Sequence, residues 1–287
     1  MITQPRLQVG RIAYINGYPV YGAIDRGLIP LNATLVDGVP TALNKLMAAG
    51  KLDISVVSAV EYARDAGRYL VLPDLAISCD GPVRSVMLFS RVPVADLSGK
   101  RILISRSSMT SVALLELLLA NVWKVRPEFV LGDAELTDIA MFDHESHHAR
   151  LVIGDAALRV FGETSRGGPL RTVYPVSIDL GQAWKEWTGL PFVFALWVAG
   201  RTAPREAVME AHHALVASRD WGLTHLDELA AQASVAVGVP IELCKVYLSG
   251  LDYRLSATHL AGLSEFFKKL VASGRVPDGD FAFLPAA

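Results

Sequence analysis

Apolar and polar positions fall into alternating blocks along this chain. Short β-branched runs are followed by stretches with helical spacing, and the order repeats through most of the length. That alternation predicts an α/β sheet with mostly parallel strands. RIAYI, Arg11–Ile15, reads as a first strand and VYGAIDRG, Val20–Gly27, as a helix with Gly27 as its stop. Between them stands Asn16-Gly17, which after a strand usually signals a hairpin, yet Pro19 follows and the chain turns helical. Pro19 suits the start of that helix. Downstream, Thr41 is placed to cap a helix with the apolar face Leu43, Leu46 and Met47 and with Gly50 as terminator. DISVV, Asp53–Val57, is a buried strand, and Ser58–Glu61 has the S-x-x-E spacing of a capping box opening the next helix.

Further along, Val83–Ser90 reads as a longer strand and Arg101–Ser105 as another, after a polar break. SRSSMTS then leads into a strongly apolar helix. FVLG and RLVIGDAAL supply two more strand ends, the second running into a helix. Thr172–Gly200 contains a strand, a short helix with Trp184 and Trp187, and a strong strand. Beyond Pro204 the pattern is helical to Gly274.

At 287 residues with 52% hydrophobic content, the chain is long for one core and sufficient for two lobes. It has no Pro/Gly/Ser linker, so two lobes must be joined through strands, near SVMLFS and again near PFVFALWV. The expected lobes are residues 1–90 with 191–287, and residues 91–190. Charge is balanced, 27 Lys plus Arg against 29 Asp plus Glu, without a basic cluster dense enough for a nucleic-acid footprint. A small anion stays open as a ligand, because helix N-termini bind anions without net positive charge. Cys79 and Cys244 lack metal-like spacing and fit a reducing compartment. The first residues lack the features of a signal peptide, and VALLELLLANVW is too short to span a bilayer. The expectation is a cytoplasmic protein with a small-molecule ligand, no nucleic-acid or membrane partner and no obligate protein partner.

Several strand ends carry small polar residues just before helices: Asn16, Ser58, and the cluster Ser107, Ser108, Thr110 and Ser111. Ligands of open α/β sheets bind at the carboxyl ends of the strands. Ser58, with Glu61 as partner, reads as a cap. The four hydroxyls exceed what one cap requires and fit a ligand cradle as well as ordinary capping. Ile153-Gly154-Asp155 brings a strand to a helix start, where Asp155 either caps the helix or aims a carboxylate into a cleft. His144 and His148, four apart in HESHH, have metal-compatible spacing, but no third ligand joins them and the segment reads as a solvated loop or helix end. His212, His213, His225 and His259 read as surface or packing residues without partners, and the two tryptophans as core. P-loop, G-x-G-x-x-G, G-x-S-x-G and H-E-x-x-H motifs are absent, so the chain shows no nucleotide, flavin or zinc machinery. The residues alone reach a two-lobed binder of small anions and do not reach catalysis.

The stretches RIAYINGYPVY, GVPTALNKLMAAGKLDISVVSAVEYAR, LPDLAIS, GPVRSVMLFS, SSMTSVALLELLL, LVIGDAAL and DLGQAWKEWTGLPFVFALW, from about residue 10 to 200, resemble the chorismate dehydratases of the futalosine route to menaquinone. The resemblance implies a two-lobed fold similar to type II periplasmic binding proteins, with a ligand cleft between the lobes. It implies loss of water from chorismate to give 3-[(1-carboxyvinyl)oxy]benzoate, with neither a metal nor an organic cofactor. Asn16 and Asp155 then stand as catalytic candidates. Ser58, Ser85, Ser107, Ser108, Thr110, Ser111 and Gly154 stand as substrate contacts. The general base is either Asp155 or the substrate's own enolpyruvyl carboxylate with Asn16 holding the geometry. The related 1,4-dihydroxy-6-naphthoate synthases are similar in fold but carry a histidine where this chain has Gly154-Asp155. A non-catalytic solute-binding protein is the rival of a different class, and it normally requires an export signal.

Overall fold

Ten strands assemble into two separate five-stranded sheets in the computed structural model, which describes residues 6–105, 108–132, 134 and 147–285. They are β1 (Leu7–Ile12), β2 (Ala33–Gly38), β3 (Ile54–Ser58), β4 (Tyr69–Cys79), β5 (Val86–Ser90), β6 (Arg101–Ser105), β7 (Glu128–Gly132), β8 (Ala149–Ile153), β9 (Val176–Asp179) and β10 (Phe192–Gly200). The helices are α1 (Tyr18–Asp25), α2 (Pro40–Ala48), α3 (Ala59–Arg64), α4 (Thr110–Leu118), α5 (Gly154–Ser165), α6 (Leu170–Val173), α7 (Leu180–Thr188), α8 (Arg205–Thr224), α9 (Leu226–Val237), α10 (Ile241–Gly250) and α11 (Ala257–Ala272).

The chain divides into two compact units. The first runs to Ser78, returns for Val193–Leu229 and resumes at Asp252; the second comprises Cys79–Phe192 and Ala230–Leu251. These bounds depart from the expected 1–90 with 191–287 and 91–190. β5 lies in the second unit because it pairs antiparallel with β8 and β9, Val86 facing Ile153 and Met87 facing Asp179. The 230–251 segment joins it there through α10, whose Leu243 lies so close to α5 that a Cβ on Gly162 would come within 2.7 Å of it. Helical periodicity alone could not say which sheet that helix covers.

Sheet one has the order β2-β1-β3-β10-β4. β1 is parallel to β2 and β3, while β10 enters antiparallel to β3. Sheet two has the order β7-β6-β8-β5-β9, with β6 parallel to β7 and β8, and β5 antiparallel to both its neighbours. The mostly parallel expectation therefore needs correction to two mixed sheets. β10 and β5 are near-continuous apolar runs, and such runs bury both faces in either direction of pairing.

β4 is the strand the sequence conceals, because Pro73 and Asp74 interrupt it as breakers would. Asp74 adopts a φ of +57°, which bends the strand and exposes two carbonyls. Both are taken by α8: His212 bonds the Pro73 carbonyl at 2.8 Å, and the fully buried Arg219 donates to the Asp74 carbonyl and pairs with its carboxylate at 2.9 Å. The bend is thus compensated by side chains from 139 and 145 positions away.

α8 also fixes α1. A Cβ on Gly222 would lie 2.1 Å from the Pro19 carbonyl oxygen and 2.6 Å from its Cα, so the two backbones meet where no side chain fits. Tyr21 is anchored beneath, donating to Gly10 at 3.3 Å and accepting from the buried Trp197 indole at 3.1 Å. Gly222→Ala is expected to lower stability by at least about 1–3 kcal/mol, the cost of overpacking against an unyielding neighbour. A chemical-denaturation midpoint equal to that of the parent would refute the contact.

Candidate functional site

In the first unit, β1 and β3 are parallel with Val9 facing Ile54, so both finish at one edge of the sheet. After β1 the chain makes no hairpin. It closes a single 3-10 turn over Ile15–Gly17, in which the Gly17 N–H donates to Tyr14 at 3.0 Å, and passes directly into α1. Ile15, 1% exposed, anchors the turn in the core. Gly17 leaves little room, since a Cβ there would lie 3.0 Å from the Ile12 side chain. Pro19 sits in the first helical turn, where its fixed φ is an advantage. Between them Asn16 is buried, 8% exposed, and its side-chain oxygen has no hydrogen-bond partner. A buried acceptor left unsatisfied costs about 1–3 kcal/mol, which makes Asn16 the candidate to weigh at this edge.

Ser58 caps α3 as expected, its Oγ accepting the Glu61 N–H at 3.3 Å. The capping box is only half made. In place of Glu61, Asn44 reaches the Ser58 backbone: its Oδ1 accepts the Ser58 N–H at 3.2 Å while its Nδ2 donates to the Ser58 hydroxyl at 3.0 Å. Glu61 instead accepts from Tyr69 at 3.3 Å, and burial pushes its carboxyl up from the usual range. Asn44, 3% exposed, is the residue the sequence reading missed. The signal was an amide beside Leu43 in the apolar face of α2, where Leu46 is only half-buried. Thr41 does not cap this helix: Val39 holds the cap position without a side-chain bond, and Pro40 starts the helix through its preset φ.

In the second unit, the register of β5 on β8 brings Ser85 beside Gly154, whose N–H donates to the Ser85 carbonyl at 2.8 Å. Gly154 has a φ of +62°, a conformation strained for any residue with a Cβ. Ile153 occupies the cap position of α5, so Asp155 is not the cap. It lies in the first turn, where the positive end of the helix favours its charge. β6 ends at the same edge, and α4 begins with Met109 at its cap and with Thr110 and Ser111 inside the first turn, 3% and 6% exposed. Ordinary N-capping therefore does not account for these hydroxyls. Ser85, 4% exposed, and Ser111 have hydroxyls without a partner among the described residues. Ser108 is half-buried, and Ser107 lies outside the described residues.

This edge is set by Asp179, which periodicity marks only as a strand end. Its carboxylate caps α7 through Gly181 at 2.9 Å and Gln182 at 3.1 Å, and also accepts the N–H groups of Val83 at 3.0 Å and Arg84 at 2.7 Å. One side chain thereby ties the turn preceding Ser85 to the start of α7. Burial raises this carboxyl, and the four N–H donors oppose that rise.

The histidine readings change in the structure. His147 is not solvated: it is buried, bonds the Tyr174 hydroxyl at 2.9 Å and stacks on that ring. His144 lies outside the described residues, and among the described residues no group of three or more His, Cys, Asp or Glu could hold a metal. His212, His225 and His259 all have partners: the Pro73 carbonyl, the Trp221 carbonyl and ring, and Ser256 in a complete capping box. Trp184 is core, packed edge-on against Trp187 and Phe192.

Two mixed sheets with helices on strand ends define the class. The alkanesulfonate-binding protein SsuA from Xanthomonas axonopodis pv. citri aligns with a TM-score of 0.67 at 15% identity, covering 96% of each chain, so the fold is periplasmic-binding-protein-like. A structure of a protein from Archaeoglobus fulgidus aligns at 0.77 and 20% identity, over 94% of this chain and 98% of the other. More particularly, the chain belongs to the menaquinone biosynthesis family, whose model matches residues 7–272. A chorismate dehydratase from Thermus thermophilus is 30% identical over 272 residues, 90% of this chain and 95% of the relative. No helix among the described residues is long and apolar enough to cross a membrane.

Burial, reinforced by Arg150 and Arg91, pushes His147 down to about 4, against about 6.5 in an unfolded chain. Between those values the unfolded chain binds a proton that the folded chain refuses, so stability rises with pH across that window and is lost as pH falls from about 6.5 toward 4. Thermal melts at stepped pH are expected to show this slope, and His147→Asn should flatten it. An unchanged slope in the variant would assign the effect to other groups.

Proposed function

We infer that this protein is a chorismate dehydratase acting in menaquinone biosynthesis. The likeness to a chorismate dehydratase along nearly the whole chain carries the reaction. The buried, unpartnered oxygen of Asn16 supports the position of the site. In the reaction the C–H bond at the ether-bearing ring carbon breaks and its electron pair forms the last ring double bond. The neighbouring C–O bond breaks as well, and the hydroxyl leaves as water. Aromatisation supplies much of the driving force, so the residues need mainly to orient the substrate and manage a proton.

Chorismate offers one hydroxyl and two carboxylates. Its hydroxyl supplies the donor that Asn16 Oδ1 lacks, which would hold the departing group in place. Ser58, Ser85, Ser111 and Thr110 offer hydroxyl donors to the carboxylates, with Ser107, Ser108 and the Gly154 backbone assigned to the same task. The proton goes to the substrate's own enolpyruvyl carboxylate, which passes it to the departing hydroxyl so that water leaves and the carboxylate is restored. Asp155 is the alternative base; a second carboxylate beside a dianion is repelled unless protonated or well paired, and substrate assistance needs neither condition. The sites, the two-lobed use of the fold and a cytoplasmic location are parts of this reading.

Purified protein incubated with chorismate should produce an aromatic absorbance without added cofactor; tight binding with no conversion would favour a solute binder. Asn16→Ala is expected to retain chorismate binding while kcat falls about 100-fold, the scale of one lost polar contact at a reacting centre. Full activity in that variant would leave Asn16 a turn former. Asp155→Asn is expected to keep kcat within about tenfold, whereas collapse of turnover with unchanged binding would make Asp155 the base.

A further inference from the structure

We propose that Asn44 is a positioning residue that makes the Ser58 hydroxyl an obligate hydrogen-bond donor and so selects an anionic group on the substrate. The proposal rests on the reading that Ser58 contacts chorismate. A serine hydroxyl has one proton and two acceptor lone pairs. Here both lone pairs are engaged, one by the Asn44 amide at 3.0 Å and one by the Glu61 N–H at 3.3 Å. The orientation of Asn44 is determined, because its Oδ1 must face the Ser58 N–H at 3.2 Å, which turns Nδ2 toward Oγ. The remaining valence of Ser58 is its proton, and no acceptor for it exists among the described residues. The hydroxyl therefore points its proton away from α2 and α3 and cannot accept from a ligand. A carboxylate satisfies it; an ammonium group or a hydroxyl used as donor does not. Asn44 is 3% exposed on the buried face of α2, and its bonds to Ser58 are made by both atoms of its amide.

Asn44→Asp tests this with almost no change of shape. The introduced carboxylate still accepts the Ser58 N–H but offers no donor to Oγ, so the Ser58 proton turns inward to it. KM for chorismate is expected to rise about tenfold at neutral pH with kcat changed less than twofold. It should recover as the pH is lowered through the titration of the introduced carboxyl, because its protonated form donates again. A packing role alone would give no such recovery. Asn44→Ala, which leaves Ser58 unoriented, should raise KM by a smaller factor at every pH. If Asn44→Asp is too unstable to assay, the alanine variant decides through its KM. Parent-like KM in the assayed variant, or a raised KM in Asn44→Asp that does not move with pH, overturns the role of Asn44. Failure of the parent protein to convert chorismate would instead strike the functional reading. Ser58→Ala with parental KM would sever the link between the two and overturn the proposal.

Discussion

An amide oxygen buried without a donor is the constraint on which the first unit is built. Left to itself, the turn after β1 would rotate Asn16 into water and recover the hydrogen bond it forgoes. Four features prevent that. Ile15 is sunk in the core, Gly17 lies against Ile12, Pro19 is pressed by Gly222, and Tyr21 is held by Gly10 and Trp197. Local frustration of this kind persists only where surrounding structure over-determines it, and it is concentrated at functional sites.

The two units treat their strand edges alike. Each ends strands on small polar side chains whose hydrogen-bonding capacity exceeds what the fold consumes. The first provides an acceptor at Asn16 and a donor at Ser58, the second spare hydroxyls at Ser85 and Ser111. Each edge is in turn set by one side chain that binds backbone from a distance, Asn44 in the first unit and Asp179 in the second. Neutral hydrogen-bonding groups at such edges, in a protein whose own charges nearly cancel, can meet charge without importing a counter-charge that must be desolvated.

Much of this was legible locally. The strand Arg101–Ser105, the Ser58 cap, the stops at Gly27 and Gly50 and the passage from β1 into α1 through Pro19 all follow from period and punctuation over a few residues. So did the polar strand ends and, through motif resemblance, the family. Each depends on φ preferences or side-chain spacing that the chain carries with it wherever it folds.

Tertiary structure decided the rest. Periodicity states which face of a segment is buried but not what it is buried against, so the antiparallel entry of β5 and β10 and the transfer of 230–251 to the second unit were hidden. β4 survives Pro73 and Asp74 only because His212 and Arg219 arrive to take the freed carbonyls. His147 looks polar in sequence and is core because Tyr174 meets it. Asn44 is one letter in an apolar helix face until α2 lies beside β3. By itself the sequence determined which polar groups would stand at the strand ends; only long-range packing decided which are consumed by the fold and which keep unused hydrogen-bonding capacity, because a hydrogen bond's second partner is not encoded near the first.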